Sequence, residues 1–523
     1  MTQVDFRPVE KATRSTRGEV GRIGVAVLFI VGVIVFTGAA FGHVEQAYLL
    51  IAAAVIGGYM ALNIGANDVA NNVGPAVGSM AMTMATAIGI AAVFEAAGAI
   101  IAGGDVVDTV KNGIIDPDSI ADPQIFVWVM LGSLLGAALW LNIATFMGAP
   151  VSTTHAIVGG VLGGGVASSG WAIVNWDVMG SIAMSWVISP LVGGLIAAGT
   201  LYLLKRTVLF RDEPVDAATR VVPLLIAVMA WAFATYLALK GLSNLVSISF
   251  PVALFGGLVI AVITYAVVRP MVIRAAPGLT QDTEGVNSLF TIPLICAAAL
   301  LSFAHGANDV ANAVGPLAGI VEVLDGGAAG GEAGIPLWVL VIGAVGISVG
   351  LALFGPRLIR TVGSEITDLD RSRAFCIALA AAVTVIVASQ LGLPVSSTHV
   401  ALGGIFGVGF LREFLDDRMN RAIEKVLRAH RDDTDFAKVE GMLEAFREAR
   451  PEDKRRMLDT LQEMGPEAVI TAAQGKKLRK ALKRQLVRRS HILKIASAWV
   501  ITVPVAGILS ALFFFALRGM LLP

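Results

Sequence analysis

The chain alternates between long apolar runs and short polar or charged segments. Each run approaches the ~20 residues that a helix needs to cross a bilayer. The runs of this length are 23–42, 47–66, 82–103, 124–147, 175–204, 221–240, 247–268, 286–305, 335–355, 373–391 and 491–517. This pattern predicts an all-α, polytopic integral membrane protein.

Two glycine-rich apolar stretches, 149–169 and 393–411, begin at or just before a Pro-Val-Ser sequence. Loop charge indicates whether they cross the membrane, because Lys and Arg stay on the cytoplasmic side. With the basic N-terminus inside, the aspartate-rich loop 104–123 lies outside, and a crossing by both stretches keeps Lys205 and the basic segment 412–490 inside. We therefore predict that both stretches cross, with broken helices or hairpins at the Pro-Val-Ser sequences.

Two polar sequences occur twice along the chain. Gly65–Asn71 returns unchanged as Gly306–Asn312, and Pro150–His155 returns with one conservative change as Pro394–His399. The separations are 241 and 244 residues, so a domain has been duplicated. Loop charge makes the span before the first copy run inwards and the span before the second run outwards. The halves are therefore predicted to be inverted repeats with a transport site between them.

The duplication and the charge pattern together define a domain organisation. The N-terminal run has no partner in the second half; its length favours a retained helix, with a cleaved signal as the alternative. The predicted units are the cytoplasmic N-terminus 1–22, the extra transmembrane helix 23–42, the first transport repeat 47–205, the connecting spans 206–285, the second transport repeat 286–411 (completed by 491–517), the cytoplasmic helical domain 412–490 and the last transmembrane helix 491–523. A weaker third match, Gly98 with Gly350 at a separation of 252 residues, supports the duplication.

Residues 412–490 contain no apolar run of membrane length, but they carry apolar residues at helical spacing. These residues are Ile423, Val426, Leu427, Met442, Leu443 and Phe446. We predict three or four helices on the cytoplasmic side. The basic run from Lys476 to Arg489 is interpreted as a solvated helix face that anchors to lipid headgroups, with nucleic-acid or regulator binding as the alternative.

Composition supports the membrane assignment. Hydrophobic residues make up 56% of the chain and charged residues only 15%, against about 25% charged in ordinary soluble proteins. Mean hydropathy is +0.77. The formal net charge of zero hides an uneven distribution between loops, so it carries no information about nucleic acid. The two cysteines form neither a disulfide framework nor a metal-binding spacing.

The first repeated sequence carries oxygen ligands that suit a small hard cation. On a helix its two asparagines lie four residues apart on one face, with the aspartate beside them. The flanking glycines and proline are expected to unwind the helix and expose carbonyl oxygens, a ligand set that favours Na⁺, with a proton on the carboxylate as the alternative. A cation would also neutralise a carboxylate that is costly at membrane depth. The candidate ligands are Asn67, Asp68, Asn71, Asn308, Asp309 and Asn312.

The second repeated sequence has the features of an oxyanion site. A proline followed by Ser and Thr marks a helix N-terminus, whose free N–H groups and dipole attract anions. The candidate hydroxyl donors are Ser152, Thr153, Thr154, Ser396, Ser397 and Thr398. No Lys or Arg accompanies them in the sequence. Bound cations would then have to supply the positive charge, which would couple anion binding to cation binding.

Further polar residues lie at membrane depth. Glu95 has no acidic counterpart in the second half, and an unpaired buried carboxylate is costly, so we predict a proton-linked role for it. His155 and His399 are candidates for the same role, with a hydrogen-bonded structural histidine as the alternative. Gln390 has an aromatic counterpart in the first half and is an asymmetric candidate for substrate contact. His305 precedes only the second copy and ranks below the others.

These sequences resemble the inorganic phosphate transporter (Pit) family, which includes the type III sodium-phosphate cotransporters. The family signature is a twice-occurring Gly-Ala-Asn-Asp-Val-Ala-Asn element with a Pro-x-Ser-[Ser/Thr]-Thr-His element in each half, and both copies of both elements match. The resemblance covers 47–411 and the last span, and it implies ion-coupled symport of phosphate through inverted repeats. It implies phosphate contacts on the six hydroxyl residues named above. It implies cation ligation by Asn67, Asp68, Asn308 and Asp309, with Asn71 and Asn312 nearby.

The resemblance leaves alternatives open. Family members differ in coupling ion, and some carry sulfate or a metal-phosphate complex. The expected partners are inorganic phosphate, Na⁺ or H⁺ and membrane lipid, in the cytoplasmic membrane. Neither a cofactor, an enzymatic activity nor nucleic acid is expected, and homo-oligomerisation is left open. The non-transporter alternative is a membrane receptor or scaffold that acts through 412–490, although that segment carries no nucleotide-binding or catalytic signature.

Overall fold

The computed structural model is built of helices. It describes residues 7–43, 46–120, 122–147, 151–241, 248–326, 334–364, 369–415, 417–429, 436–449, 456–461, 470–471, 474–478 and 489–521. Its main α-helices, numbered in chain order, are α1 Arg7–Phe41, α2 Ala47–Asn67, α3 Val69–Gly78, α4 Met84–Ala102, α5 Gly104–Asp108, α6 Pro123–Phe146, α7 Thr153–Ser169, α8 Trp176–Leu204, α9 Pro214–Tyr236, α10 Phe250–Ala275, α11 Thr283–Leu289, α12 Thr291–Asp309, α13 Ala311–Leu324, α14 Leu337–Ser364, α15 Arg371–Gln390, α16 Ser397–Leu415, α17 Asp417–Ala429, α18 Phe436–Glu448 and α19 Arg489–Leu521. No β-strand occurs in these ranges, so the predicted all-α fold is confirmed.

The predicted spans correspond to helices of membrane length. Within the described ranges, 11 helical segments are long and apolar enough to cross a bilayer. Two of them join two α-helices, because α2 continues into α3 and α12 continues into α13. The two glycine-rich stretches form α7, with 17 residues, and α16, with 19 residues.

The helix unwinding predicted around the first repeated sequence is nearly absent. The break is a single residue in each half, Asp68 after α2 and Val310 after α12, and both residues keep right-handed helical backbone angles. The flanking glycines serve packing instead, since a Cβ on Gly65 or Gly306 would overlap the backbone of an opposing helix. The expectation that glycine would loosen the helix is therefore corrected.

Proline, rather than glycine, frees carbonyl oxygens in this region. Pro75 lies inside α3 and Pro316 lies inside α13. A proline has no N–H to donate to the carbonyl four residues earlier. The carbonyl oxygens of Asn71 and Asn312 thereby lose their usual helical donors and become available to a ligand.

Helices α6 and α7 form an antiparallel hairpin that returns the chain to the side where α6 begins. Two backbone hydrogen bonds join the loop before α6 to the segment after α7, from Asp116 N–H to Ile173 O (2.8 Å) and from Asn175 N–H to Ile114 O (3.1 Å). The two ends of this hairpin therefore lie on the same side of the membrane, so α8 starts on the side where α6 starts. This geometry agrees with the predicted cytoplasmic position of Lys205, and the crossing by the first glycine-rich stretch stays a prediction. Pro150 lies outside the described residues.

Contacts between the halves occur in reciprocal pairs. Helix α2 packs on α14, and α12 packs on α4. Gly98 faces the backbone of Phe303, while Gly350 faces that of Leu62, the residue equivalent to Phe303 in the first half. Helix α8 packs on α15 and α16 of the second half, and α19 packs on α6 and α7 of the first. Reciprocal contacts of this kind indicate a two-fold relation; its inversion relative to the membrane stays a prediction.

The segment before α19 has its own hydrophobic core. The buried residues of this core are Ile423, Val426, Val439, Leu443, Phe446, Leu458, Ile470 and Leu478. They come from α17, α18 and the pieces around 456–461 and 470–478. The six apolar residues predicted for a helical domain all belong to this core or pack against it. Most of the basic run Lys476–Arg489 lies outside the described residues, so its lipid-anchoring role stays a prediction.

Candidate functional site

Two helix N-termini meet deep in the molecule. Ser152 caps α7, where its hydroxyl accepts a hydrogen bond from the His155 N–H (3.1 Å). Ser396 caps α16 in the same way through the His399 N–H (3.2 Å). Capping by serine fixes a helix start and leaves other first-turn N–H groups without helical partners. The second repeated sequence therefore marks a helix start in both halves, as predicted.

Helices α15 and α16 pack on one another as a second hairpin, and hydroxyl groups from both hairpins converge on the two aspartates. Asp68 accepts hydrogen bonds from Thr153 of its own half (2.5 Å) and from Thr398 of the other half (3.1 Å). Asp309 accepts one from Ser397 (3.1 Å). All five side chains are buried. The two repeated sequences, more than 80 residues apart in each half, thus form one centre to which both halves contribute.

Asparagine side chains make reciprocal links between the halves. Nδ2 of Asn71 donates to the hydroxyl of Thr398 (2.8 Å). Nδ2 of Asn312 lies within hydrogen-bonding distance of the hydroxyls of Thr153 (3.0 Å) and Thr154 (3.2 Å). These bonds use the amide nitrogens, so the amide oxygens remain for another partner.

Asn67 and Asn308 hold the tips of the hairpins. Nδ2 of Asn67 donates to the Thr145 hydroxyl (2.9 Å), and its Oδ1 accepts from the Val151 N–H (3.2 Å). Asn308 makes the equivalent pair of bonds with the Ser389 hydroxyl (2.9 Å) and a backbone N–H (3.3 Å). Both amides are engaged at nitrogen and oxygen, and the predicted cation ligation by Asn67 and Asn308 stays a prediction.

Three buried oxygen atoms in the centre have no hydrogen-bond partner among the described residues. They are the Oδ1 atoms of Asn71, Asp309 and Asn312. A buried acceptor without a donor is costly, and a cation would satisfy it. One ligand atom from each of Asp68, His305 and Asp309 lies within 4.8 Å of the others. Carboxylate, amide and proline-freed carbonyl oxygens are the ligands that hard cations prefer.

A polar chain that sequence reasoning underrated leads into this centre. Asn72 donates to Oε1 of Glu95 (2.7 Å), and Oε2 of Glu95 lies 2.6 Å from Nδ1 of His305. Nε2 of His305 lies 2.9 Å from Oδ2 of Asp309. The sequence does mark these residues, because three polar residues of the chain have apolar residues at the equivalent positions of the other repeat. The equivalents of Asn72, Glu95 and His305 are Ala313, Ile347 and Ile64.

His155 and His399 lie in the middle of a row of four rings that are tilted by 34–40° to one another. Their ring centroids are 4.5 Å apart, and each ring is backed by a tryptophan, Trp186 at 3.8 Å from His155 and Trp499 at 3.6 Å from His399. The sequence left a proton-linked and a structural role open. The close contact of each imidazole with an indole supports the structural role, through ring packing rather than the hydrogen-bonded arrangement that was expected.

The structure does not place Gln390 in the centre. Gln390 is exposed at the C-terminal end of α15, whereas the preceding residue, Ser389, is buried and bonds to Asn308. Successive residues of a helix point about 100° apart, so only one of the two can face the centre. We therefore replace Gln390 by Ser389 as the polar residue that α15 contributes.

Comparisons with known proteins agree with this architecture. The model of the phosphate transporter family matches residues 64–510. A protein of Helicobacter pylori (strain J99) named "Putative phosphate permease" is 48% identical over 98% of both chains. A protein of Pyrococcus abyssi with the same description is 40% identical over 68% of this chain and 88% of its own. A solved structure, "The sodium-dependent phosphate transporter", has a TM-score of 0.73 and 30% identity, and the match covers 91% of this chain and 100% of that chain. The chain belongs to the phosphate transporter family, a family of transporters and not of enzymes.

Proposed function

We propose that the protein is a symporter that carries inorganic phosphate together with Na⁺ across the cytoplasmic membrane. The observation that carries the proposal is the pairing of two ligand types in one buried centre. Oxygen atoms without donors lie beside two helix N-termini, and no Lys or Arg is among the described residues that bond there. Such a centre binds an anion well only when a cation is also present.

The cation is assigned to the oxygen atoms of Asp68, Asn71, Asp309 and Asn312. Several oxygens converge there, which suits Na⁺, whereas a proton needs only one acceptor. The sodium dependence in the name of the structural relative supports the same choice. A proton is the second candidate, because the chain from Glu95 ends on a carboxylate of the centre.

Phosphate is assigned to the two helix starts and their hydroxyl groups. Thr153, Thr154, Ser397 and Thr398 would turn from their present acceptors to the anion, while Ser152 and Ser396 keep the helix ends formed. Phosphate at neutral pH can donate a hydrogen bond, and a carboxylate oxygen of Asp68 or Asp309 that the cation leaves free can accept it. Sulfate cannot donate, so this acceptor favours phosphate. A metal-phosphate complex is the remaining alternative substrate.

The orientation is part of the proposal. The N-terminus and 412–490 are placed in the cytoplasm and the two repeats are inverted, as loop charge indicates. This arrangement sets the centre near the membrane midplane, where a transporter needs it.

Uptake of radiolabelled phosphate into proteoliposomes tests the function. Na⁺ and pH gradients are imposed separately, and unlabelled sulfate is added as competitor in a parallel series. We expect an inward Na⁺ gradient at equal pH to drive uptake and sulfate to compete weakly. Uptake driven by the pH gradient alone would assign H⁺, and absence of phosphate uptake under both gradients would overturn the proposal.

A further inference from the structure

A cavity of about 690 Å³ lies between α1, α2, α6 and α14. Glu19, Arg22 and Arg357 line it where the apolar run of α1 begins and that of α14 ends. This is the side that loop charge assigns to the cytoplasm. The volume lies within the roughly 300–1,000 Å³ of typical small-molecule sites and accommodates a hydrated oxyanion.

A strip of uncharged polar side chains leads from this cavity to the binding centre. Asn63, Asn142 and Thr145 all line the cavity. Nδ2 of Asn142 lies 3.4 Å from Oδ1 of Asn63, and the Thr145 hydroxyl accepts a hydrogen bond from Asn67 (2.9 Å). Asn67 is fully buried. The Asn67–Thr145 bond is therefore the layer that separates the cavity from the centre.

The second half has no such strip at the equivalent positions. Asn63 corresponds to Ala304, and Asn142 corresponds to Ile386. Both replacements are apolar and buried. An ion that loses water needs polar groups in exchange, and among the described residues these positions supply them in the first half alone.

Aromatic side chains fill the equivalent space in the second half. Leu62 lines the cavity, and its counterpart is Phe303. Phe303 is packed edge-on by Phe233 (5.2 Å) and Tyr236 (6.4 Å) of α9. The centre is thus approached by a cavity from one side and closed by three aromatic rings at the matching place on the other.

We infer that this cavity, the α1 vestibule, is the passage between the binding centre and the cytoplasm, and that Asn63 and Asn142 conduct the ions through its neck. The inference rests on the proposed function, because a passage presupposes transport. Helix α1 has no counterpart in the second half, so it is a wall that only this side possesses. Asn63 and Asn142 are positioning residues of the path and touch none of the proposed ligand atoms.

Cysteine accessibility tests the passage. The starting protein carries Cys296→Ser and Cys376→Ser, and Asn142→Cys is compared with Ile143→Cys. Both positions are exposed, but Ile143 does not line the vestibule. In vesicles with the cytoplasmic face outwards, a charged, membrane-impermeant thiol reagent should modify position 142, leave position 143 unmodified and stop phosphate transport only in the first variant. Failure to modify position 142, as expected of a lipid-filled groove, would overturn the inference, and so would modification without loss of transport.

A second measurement separates passage from binding. Asn142→Ile introduces the residue of the second half and should slow phosphate uptake about tenfold, the factor for losing one hydrogen bond to an ion. Asn142→Ser should restore most of the rate. Phosphate affinity, measured by calorimetry, should stay unchanged in both variants. An unchanged rate in Asn142→Ile would overturn the inference, whereas the absence of uptake by the parent protein would overturn the proposed function instead.

Discussion

Asp68 and Asp309 occupy the same position in the two repeats, yet their surroundings differ. Both oxygens of Asp68 accept hydroxyl groups from the hairpins. Oδ2 of Asp309 is shared by Ser397 and His305, and its Oδ1 has no partner among the described residues. An oxygen without a donor keeps its lone pairs for a cation. We therefore expect the two carboxylates to contribute unequally to cation binding, with Asp309 the stronger ligand.

Neutralising either carboxylate should impair coupled uptake. Asp68→Asn and Asp309→Asn remove a contact to a charged group, which contributes about 1.5–3 kcal/mol, so Na⁺-driven phosphate uptake should fall ~10-fold or more. Uptake per amount of reconstituted protein is the measurement, and Asp309→Asn should lose more. Asp282→Asn, at an exposed position outside the spans, is the control and should transport at the parental rate. Parental uptake in both aspartate variants would remove these residues from the cation site.

The Glu95–His305 pair should show strong energetic coupling. Both side chains are fully buried and 2.6 Å apart. Removing one partner of a buried pair typically costs about 3–5 kcal/mol, because the other is left unpaired. Isoleucine occupies both equivalent positions in the other half, so Glu95→Ile with His305→Ile is a matched double replacement.

Thermal unfolding in detergent of the two single variants and the double variant measures this coupling. We expect the double variant to be less destabilised than the sum of the singles. Additive losses would contradict the coupling and would mean that each residue is held by its other neighbours.

At the scale of the helices, glycine sets how closely the hairpins pack on their partners. Gly163 in α7 faces Gly507 in α19, and Gly407 in α16 faces Gly194 in α8. A Cβ at Gly407 would overlap the opposing backbone, so Gly407→Ala should destabilise the protein by about 1–3 kcal/mol. Gly180, in α8, has open space around its Cβ position. Gly180→Ala should be neutral or stabilise by up to about 1 kcal/mol, as thermal unfolding will show. Equal shifts in the two variants would contradict this role for glycine.

The helices could be predicted from the sequence, but whether a given glycine loosens a helix or lets a second helix pack closely could not. An apolar run of sufficient length has few alternatives to a spanning helix, so the spans were found. Glycine serves two opposite purposes, since it loosens a helix and also lets another helix approach. Gly65 and Gly306 serve the second purpose, and no pattern in one chain distinguishes the two. For a similar reason Gln390 was chosen in place of Ser389 as the residue of α15 that faces the centre. Apolar residues surround both positions, so the sequence does not distinguish them.

Those residues of the candidate site that occur in both repeats could be predicted from the sequence. Repeat-based reasoning selects residues that occur twice, and those residues do converge. It passes over residues that break the symmetry, such as Asn72, and it ranked His305 too low. It also missed Trp186 and Trp499, whose separation is 313 residues rather than 244, because the segment 412–490 intervenes before α19.

At the scale of the whole molecule, loop charge and the hairpin geometry make a joint topological prediction. Cysteines at Asp118, Asp212 and Glu424 occupy exposed positions in three different loops or helices. In intact cells, with Cys296 and Cys376 replaced by serine, an impermeant thiol reagent should label position 118 only. The loop that holds Asp118 is tied to the segment after α7, so labelling at position 212 as well would mean that α8 does not cross and that the repeats are not inverted.

Phosphate and Na⁺ should each increase the affinity of the centre for the other. The anion site has hydroxyl groups and helix-end N–H groups but no Lys or Arg among the described residues that bond there, so cation charge must supply the missing attraction. Phosphate affinity should rise with Na⁺ concentration, and Na⁺ affinity should rise with phosphate by the same factor, because linkage is reciprocal. The usual range for such coupling is about 1–3 kcal/mol, or ~5–150-fold. Calorimetric titration with phosphate in Na⁺ and in choline at one fixed pH measures it. Equal phosphate affinity in the two salts would contradict Na⁺ coupling and leave the proton as the coupling ion.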